Sequence, residues 1–237
     1  MESVSSEEIL AFLIRLSQGN KQATKRTRYA TLSAFFSFMK NTYAPEMRNP
    51  CDSSLLKKPF RAPKYTRWKF LEKETVDELV FKIPDTRDRL MVELMARGGL
   101  RVSEVLKLTA KDVEDRKLVL RKPKSGKEIE IVFIPQKIAN RLKEYIRENR
   151  FGPEDPLFPI GYAGARVVVK KAGMRVSISL SPHDLRRHAA TYASRSGTPI
   201  EIVSKIILRH ANLSTTQRYL GKVSDEEAIR WIEQLYG

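Results

Sequence analysis

The chain has 237 residues, 41% hydrophobic and 30% charged, which fits a soluble globular protein of one large or two small domains. Forty-four Lys and Arg oppose 28 Asp and Glu, a formal charge of +16; so large an imbalance opposes compaction and points to a polyanion, nucleic acid first, with a membrane surface or a thermophile's charge enrichment as alternatives. The single cysteine, Cys51, rules out an internal disulfide, no apolar run is long enough to span a bilayer, and the opening MESVSSEEIL is unlike a secretory signal, so the default expectation is a cytoplasmic, nucleoid-associated protein with no membrane partner.

The first helix is announced by Ser5 and Glu8 at capping-box spacing, with Ile9, Phe12, Leu13 and Leu16 at helical intervals and Gly19-Asn20 as its stop. A second helix is predicted from about Thr24 to Thr42, with an apolar stripe of Tyr29, Leu32, Phe36 and Met39. Lys21, Lys25, Arg26 and Arg28 crowd its start; cations there oppose the helix dipole, which suggests an outside anion or else a solvated basic face. A short helical piece is expected at Cys51 to Leu56. Residues 57–69, KKPFRAPKYTRWK, hold two prolines and six basic residues without an acid, interleaved with Tyr65 and Trp68. They read as a strap along a phosphate backbone or as a plain solvated linker. The DNA-contact candidates are Lys25, Arg28, Lys57, Lys58, Arg61, Lys64 and Arg67, and the division expected is a domain 1–62, a linker 63–70 and a second domain 71–237.

In that second domain helices are predicted at 73–82 and 86–97, the latter stopped by Gly98-Gly99, with another from near Val102. The period then changes to that of strands, around Val113, at Leu118–Leu120 and at Glu128–Ile134, where Ile129, Ile131 and Phe133 alternate with Glu128, Glu130 and Val132. A turn, Lys122 to Lys127, joins the last two. Helices follow at 136–149, 161–172, 182–196, 199–208, 215–220 and 225–236. Ser181-Pro-His-Asp184 and Thr198-Pro-Ile-Glu201 each offer a hydroxyl cap, a first-turn proline and an acid three residues on, and Ser224 with Glu227 repeats the capping-box spacing.

A cap at Ser181 puts His183 and Arg186 on one face near a helix N-terminus, where an anion is favoured. Arginine offers parallel N–H groups to phosphate oxygens, and histidine moves protons near neutral pH. Three further features join them: Gly99-Leu-Arg101-Val-Ser-Glu104, Lys124 in the strand-to-strand turn, and His210 nine residues before Tyr219 in Leu208-Arg-His-Ala-Asn-Leu-Ser-Thr-Thr-Gln-Arg-Tyr219. Each has a bland reading as a cap, a basic turn or a buried core residue. Lys127 competes with Lys124, and a metal site of His183, His188 and His210 lacks the usual ligand spacing.

In this order the motifs resemble those of the tyrosine recombinase (phage integrase) family, especially compact Xer-like members: strongly over 70–237 and more loosely over 1–69. The resemblance implies a mainly α fold with a small three-stranded antiparallel sheet, in two domains: a helical SAM-like core-binding clamp and a DNA breaking-rejoining catalytic domain. It implies that Arg101 and Arg186 clamp the scissile phosphate, His183 passes a proton and His210 holds a non-bridging oxygen. Lys124 would protonate the leaving 5′ oxygen and Tyr219 would attack phosphorus, giving a 3′-phosphotyrosyl bond without ATP, metal or cofactor. It also implies a duplex recombination site as partner and a tetramer on paired sites. The final helix, with Ala228, Trp231, Ile232 and Leu235, would dock either on a neighbour or on its own domain.

Three departures stand out, the first being a 1–62 domain shorter than the family's usual one, which bears on DNA affinity and site length. Arg209 occupies the usual glycine position before the histidine, and Arg187 displaces His188 by one; both are expected to affect local packing and not the catalytic roles. The rival readings are a type IB topoisomerase, which would relax plasmids without recombinants, and a silent DNA-binding regulator, which would form no covalent adduct.

Overall fold

The computed structural model describes residues 4–61, 70–121, 128–220 and 225–236, and the chain divides into two compact units, Met1–Arg67 and Trp68–Gly237. The first unit contains α1 (Ser6–Leu16), α2 (Gln22–Thr42), a 3-10 turn (Pro50–Asp52) and α3 (Ser54–Lys57). The capping box at the start of α1 is formed, with Ser5 N–H donating to Glu8 Oε2 at 2.8 Å and Glu8 N–H donating to Ser5 Oγ at 3.2 Å. Ile9, Leu13, Cys51, Leu56 and Phe60 make the core, with Tyr29, Leu32 and Phe36 against it. The apolar face of α1 is narrower than its sequence suggests, since Phe12 and Leu16 are exposed. The helical piece expected at Cys51–Leu56 is two pieces, because Ser53 is extended (φ −61°, ψ 140°) and caps α3 through its hydroxyl. Lys64, Arg67 and nearly all of the 63–70 linker lie outside the described residues.

The second unit runs α4 (Lys73–Phe81), α5 (Thr86–Arg97), α6 (Val102–Val105), β1 (Val113–Glu114), β2 (Lys117–Arg121), β3 (Ile129–Phe133), α7 (Gln136–Glu148) and α8 (Tyr162–Met174). It continues with α9 (Pro182–Arg195), α10 (Ile200–Ile202), α11 (Leu213–Leu220) and α12 (Asp225–Tyr236). Helix α5 is the centre of the core, packed by α4, α7 and α9. Leu90 through Ala96 are all buried. Glu93 is among them, and Arg97 at 3.0 Å and Arg141 at 2.5 Å meet its charge, as a buried carboxylate requires.

The sheet is antiparallel in the order β1-β2-β3, with Leu118 opposite Val132 and Leu120 opposite Glu130. Alternation alone would send Ile129, Ile131 and Phe133 inward, yet these three are 52%, 46% and 51% exposed. Glu130 and Val132 are the buried pair. A strand can bury only one of its two alternating sets, and here the inner side of β3 meets a buried arginine, Arg209, which Glu130 faces at 3.5 Å.

The helix predicted at 199–208 is likewise two pieces. Helix α10 begins with Pro199, not Thr198, at its N-cap and passes into a π-helical turn, Val203–Ile207. This wider turn lets Leu208 N–H reach Val203 C=O at 2.9 Å and redirects the chain toward α11. Trp231 of α12 lies against Gly197 of the same chain, where a β-carbon would stand 3.4 Å from its ring. The Gly221-Lys222-Val223 joint and the Ser224 cap lie outside the described residues. Among the described residues no helix is long and apolar enough to cross a membrane.

The inverted face of β3 is testable by urea denaturation. Val132→Ala, which empties buried space, should destabilise by about 2 kcal/mol. Ile131→Ala on the outer face should change stability by less than about 0.5 kcal/mol.

Candidate active site

The site is built on a glycine turn packed against the π-helical turn. After α5 the chain reverses through Gly98 and Gly99, and Gly99 has φ +64°. A β-carbon there would also fall 2.8 Å from the Ile207 carbonyl oxygen, so both the left-handed backbone and the close approach require glycine. The turn delivers Arg101 to the N-cap of α6 and leaves the Gly99 carbonyl facing α9. Arg186, buried on α9, donates to the carbonyls of Gly99 and Leu208. Two separate chain reversals are thus fastened to one guanidinium.

Glu104 is the hub. It is 6% exposed and accepts from Arg101 N–H at 2.7 Å, from Arg101 Nη1 at 2.5 Å and from Arg209 Nη2 at 2.6 Å. Arg186 Nη1 stands 3.9 Å away. Burial alone would raise the Glu104 pKa, but the Arg209 and Arg101 charges outweigh it and hold the carboxyl below its usual range.

Sequence reading gave no role to Glu104 or Glu130 and expected Arg209 to affect local packing. In that packing the Arg209 guanidinium also reaches the Gly99 carbonyl and the buried Glu130. Its backbone is left-handed, φ +51°, which explains why glycine suits this position and costs a non-glycine residue about 1–2 kcal/mol. The sequence signal was the arginine itself: a large cation where a residue without a side chain is the norm.

His210 leaves the π turn through its N–H to Ser204 C=O at 2.9 Å. Its Nδ1 lies 3.0 Å from Thr216 Oγ1, which donates to Ser204 Oγ at 2.8 Å. Desolvation and then the Arg186, Arg101, Arg209 and His183 charges push its pKa down to about 4. His183, on the first turn of α9, is lowered by surrounding protein and then by Arg187 and Arg186, against the opposing pull of Asp184. That turn is closed by Ser181, whose N–H and hydroxyl both donate to Asp184 Oδ2, at 2.9 and 2.6 Å. His188 points elsewhere, with Nδ1 2.8 Å from the Leu71 carbonyl and its ring stacked on Tyr192. Among the described residues no group of three His, Cys, Asp or Glu is placed to hold a metal ion.

Arg101, His183, Arg186 and His210 are therefore drawn to one corner. Tyr219 lies on α11, which packs against α9, although its side chain is outside the described residues. Lys124 and its rival Lys127 lie outside the described residues too, in the turn between β2 and β3. In the first unit Lys57, Lys58 and Arg61 are exposed, with Lys57 3.6 Å from Asp52. Lys25 is half-buried beside Arg15 and Phe60. Arg28 donates to the Leu16 carbonyl at the end of α1.

Comparison with known proteins identifies the family and the fold. Residues 69–226 match the Phage integrase family. The tyrosine recombinase XerA of Pyrococcus furiosus is 33% identical over 92% of this chain and 76% of its own length. XerD of Proteus mirabilis is 29% identical over 92% and 74%. Among solved structures, XerA recombinase superposes with a TM-score of 0.62 at 22% identity over 99% of this chain and 84% of that one. The Tn1549 transposon integrase, in complex with a circular intermediate DNA, gives 0.74 at 16% identity over 99% and 86%. XerH bound to its palindromic difH substrate gives 0.73 at 20% identity over 99% and 71%. With the family matched across two thirds of its length and a relative above 30% identity across nearly all of it, this chain belongs to the phage integrase family of tyrosine recombinases.

Proposed function

We propose that the chain is a site-specific recombinase that cuts and rejoins duplex DNA through a 3′-phosphotyrosyl intermediate. The observation that carries the reading is Arg186 joining the Gly99 and Leu208 carbonyls, with Arg101 beside it on Glu104 and both charges acting on His210, and Tyr219 nine residues beyond His210. A phosphodiester is already anionic, and more charge gathers on its oxygens as a nucleophile adds. Arginines meet that charge without titrating. Tyr219 would attack phosphorus. An unperturbed tyrosine has a pKa of about 10, so its proton must leave as the bond forms. His183, whose pKa is lowered by burial, is suited to accept it, and His210 would donate from Nε2 to a non-bridging oxygen, with the Thr216 hydroxyl turned to donate to its Nδ1. The departing 5′ alkoxide is strongly basic, so an acid at Lys124 would be worth about 10²–10⁴ in rate. The phosphotyrosine keeps the energy of the broken diester, so a 5′ hydroxyl from a partner strand can reseal it without ATP.

The finer assignments belong to the same proposal. The first unit acts as a DNA clamp, with Lys25, Arg28, Lys57, Lys58, Arg61, Lys64 and Arg67 along the backbone, and the second unit is catalytic. Assembly is a tetramer on paired sites, and the protein works on the nucleoid. Trp231 against Gly197 favours α12 resting on its own domain when the chain is alone.

Three outcomes are expected. On a nicked suicide duplex recovered by binding selection, the wild-type protein forms a covalent adduct and Tyr219→Phe forms none. Lys124→Ala loses about 10²–10⁴ in cleavage rate and regains most of it on a 5′-phosphorothiolate, whose leaving group needs no acid; failure of the rescue would move the acid to Lys127. In the free protein, an NMR titration should find the His210 imidazole inflecting near pH 4. Because that folded-state value is depressed, the unfolded chain binds more protons in the window between about 6.5 and about 4. The stability His210 contributes is therefore complete above the window and lost as pH falls through it.

A further inference from the structure

The site contains a buried cation that the family pattern does not call for. Arg209 stands where glycine is usual, in the left-handed conformation that glycine tolerates best, φ +51°. Its side chain is 4% exposed and lies between two carboxylates that are each 6% exposed. One belongs to Glu104, at 2.6 Å, the hub that also binds Arg101. The other belongs to Glu130, at 3.5 Å, on the strand that follows the turn bearing Lys124. Neither Arg209 Nε nor Glu130 Oε2 makes a hydrogen bond among the described residues, so charge and not hydrogen-bond geometry joins them.

The charges of this corner can be counted. Arg101, Arg186 and Arg209 carry three positive charges, and Glu104 and Glu130 carry two negative ones. Among the described residues paired with Glu104 or Glu130, the balance is one positive charge. With glycine at 209 it would be zero: Glu104, already 2.5 Å from Arg101 and 3.9 Å from Arg186, and Glu130 would together offset the two arginines meant for phosphate. An active site for an anion that gains charge in its transition state needs the opposite.

We infer that Arg209 is a positioning residue for strand transfer: by engaging Glu104 and Glu130 it leaves Arg101 and Arg186 a net positive charge for the scissile phosphate. This rests on the phosphotransfer reading above. Arg209 touches no substrate; it acts through Glu104 on Arg101. Glu130 is its counterweight, and the inverted burial of β3 is a consequence of that pairing. Arg209 and Glu130 thus form a matched pair: restoring glycine at 209 should relax the backbone yet impair catalysis unless the Glu130 charge is removed with it.

The experiment compares wild type, Arg209→Gly, Arg209→Lys, Glu130→Gln and the double variant Arg209→Gly/Glu130→Gln, all as full-length protein. It measures single-turnover cleavage of the suicide duplex, DNA affinity and thermal midpoint. Arg209→Gly should cleave about ten- to a hundredfold more slowly while binding DNA within about threefold of wild type. Glu130→Gln in that background should recover most of the loss, and Arg209→Lys, which keeps the charge, should lie between. A neutral methylphosphonate at the scissile position, which removes one of the charges to be met, should shrink the defect of Arg209→Gly. A purely structural role would move the thermal midpoint and would not produce that last effect. Wild-type rates in Arg209→Gly, or a loss that neither Glu130→Gln nor the methylphosphonate reduces, would overturn the inference. If the wild-type protein itself forms no adduct, it is the phosphotransfer reading that fails. The charge role is then judged by the His210 imidazole, whose pKa should rise from about 4 in Arg209→Gly and would stay there if Arg209 did not act electrostatically.

Discussion

Glu104 sits almost out of water, with two guanidinium groups hydrogen-bonded to its carboxylate and a third within 4 Å. A buried carboxylate is tolerable only when opposite charge surrounds it, and buried arginines are tolerable only with such a partner. Each therefore depends on the other for its place. The arrangement fixes where Arg101 can stand, and through the shared Gly99 carbonyl it fixes Arg186 and Arg209 as well. Removing the carboxylate would leave several cations in low dielectric without a counter-charge, so its loss should be felt as both instability and misplacement of the phosphate-facing groups.

The backbone around this hub is unusual where the chemistry is. Gly99 and Arg209 are both left-handed, and the turn between α10 and Leu208 is π-helical. π-Helical turns are frequent at functional sites. Here the turn exposes the Leu208 carbonyl to Arg186 and swings His210 toward the arginines. The same cluster of cations that suits a phosphate makes an imidazolium expensive, so His210 remains neutral well below physiological pH. Its neutrality and the attraction for phosphate are two expressions of one local field.

Much of this is legible in the sequence. The capping box at Ser5, the pairing of Ser181 with Asp184, the double-glycine stop after α5 and the three strands follow from local rules, because each depends on residues a few positions apart. The set Arg101, His183, Arg186 and His210 was readable as motifs, and the structure gathers it in one corner. What could not be read was long-range. Glu130 looks like the solvent side of an alternating strand, and only Arg209, far along the chain, makes its burial favourable. Arg186 looks like an open phosphate fork, yet its guanidinium is fastened to two carbonyls. The π turn leaves no compositional mark on Val203 to Ile207. Local pattern locates the candidate groups, whereas electrostatic pairing across the fold decides how they are held.

The central claim, that Tyr219 becomes covalently joined to DNA, is tested most directly by locating the bond. Wild-type protein trapped on a nicked suicide duplex is digested with nuclease and trypsin and analysed by mass spectrometry. The account predicts a 3′-phosphonucleotide on the peptide 219–222, which carries Tyr219 as its sole tyrosine. Attachment to any other residue, or cleavage with no protein-linked nucleotide, would contradict it.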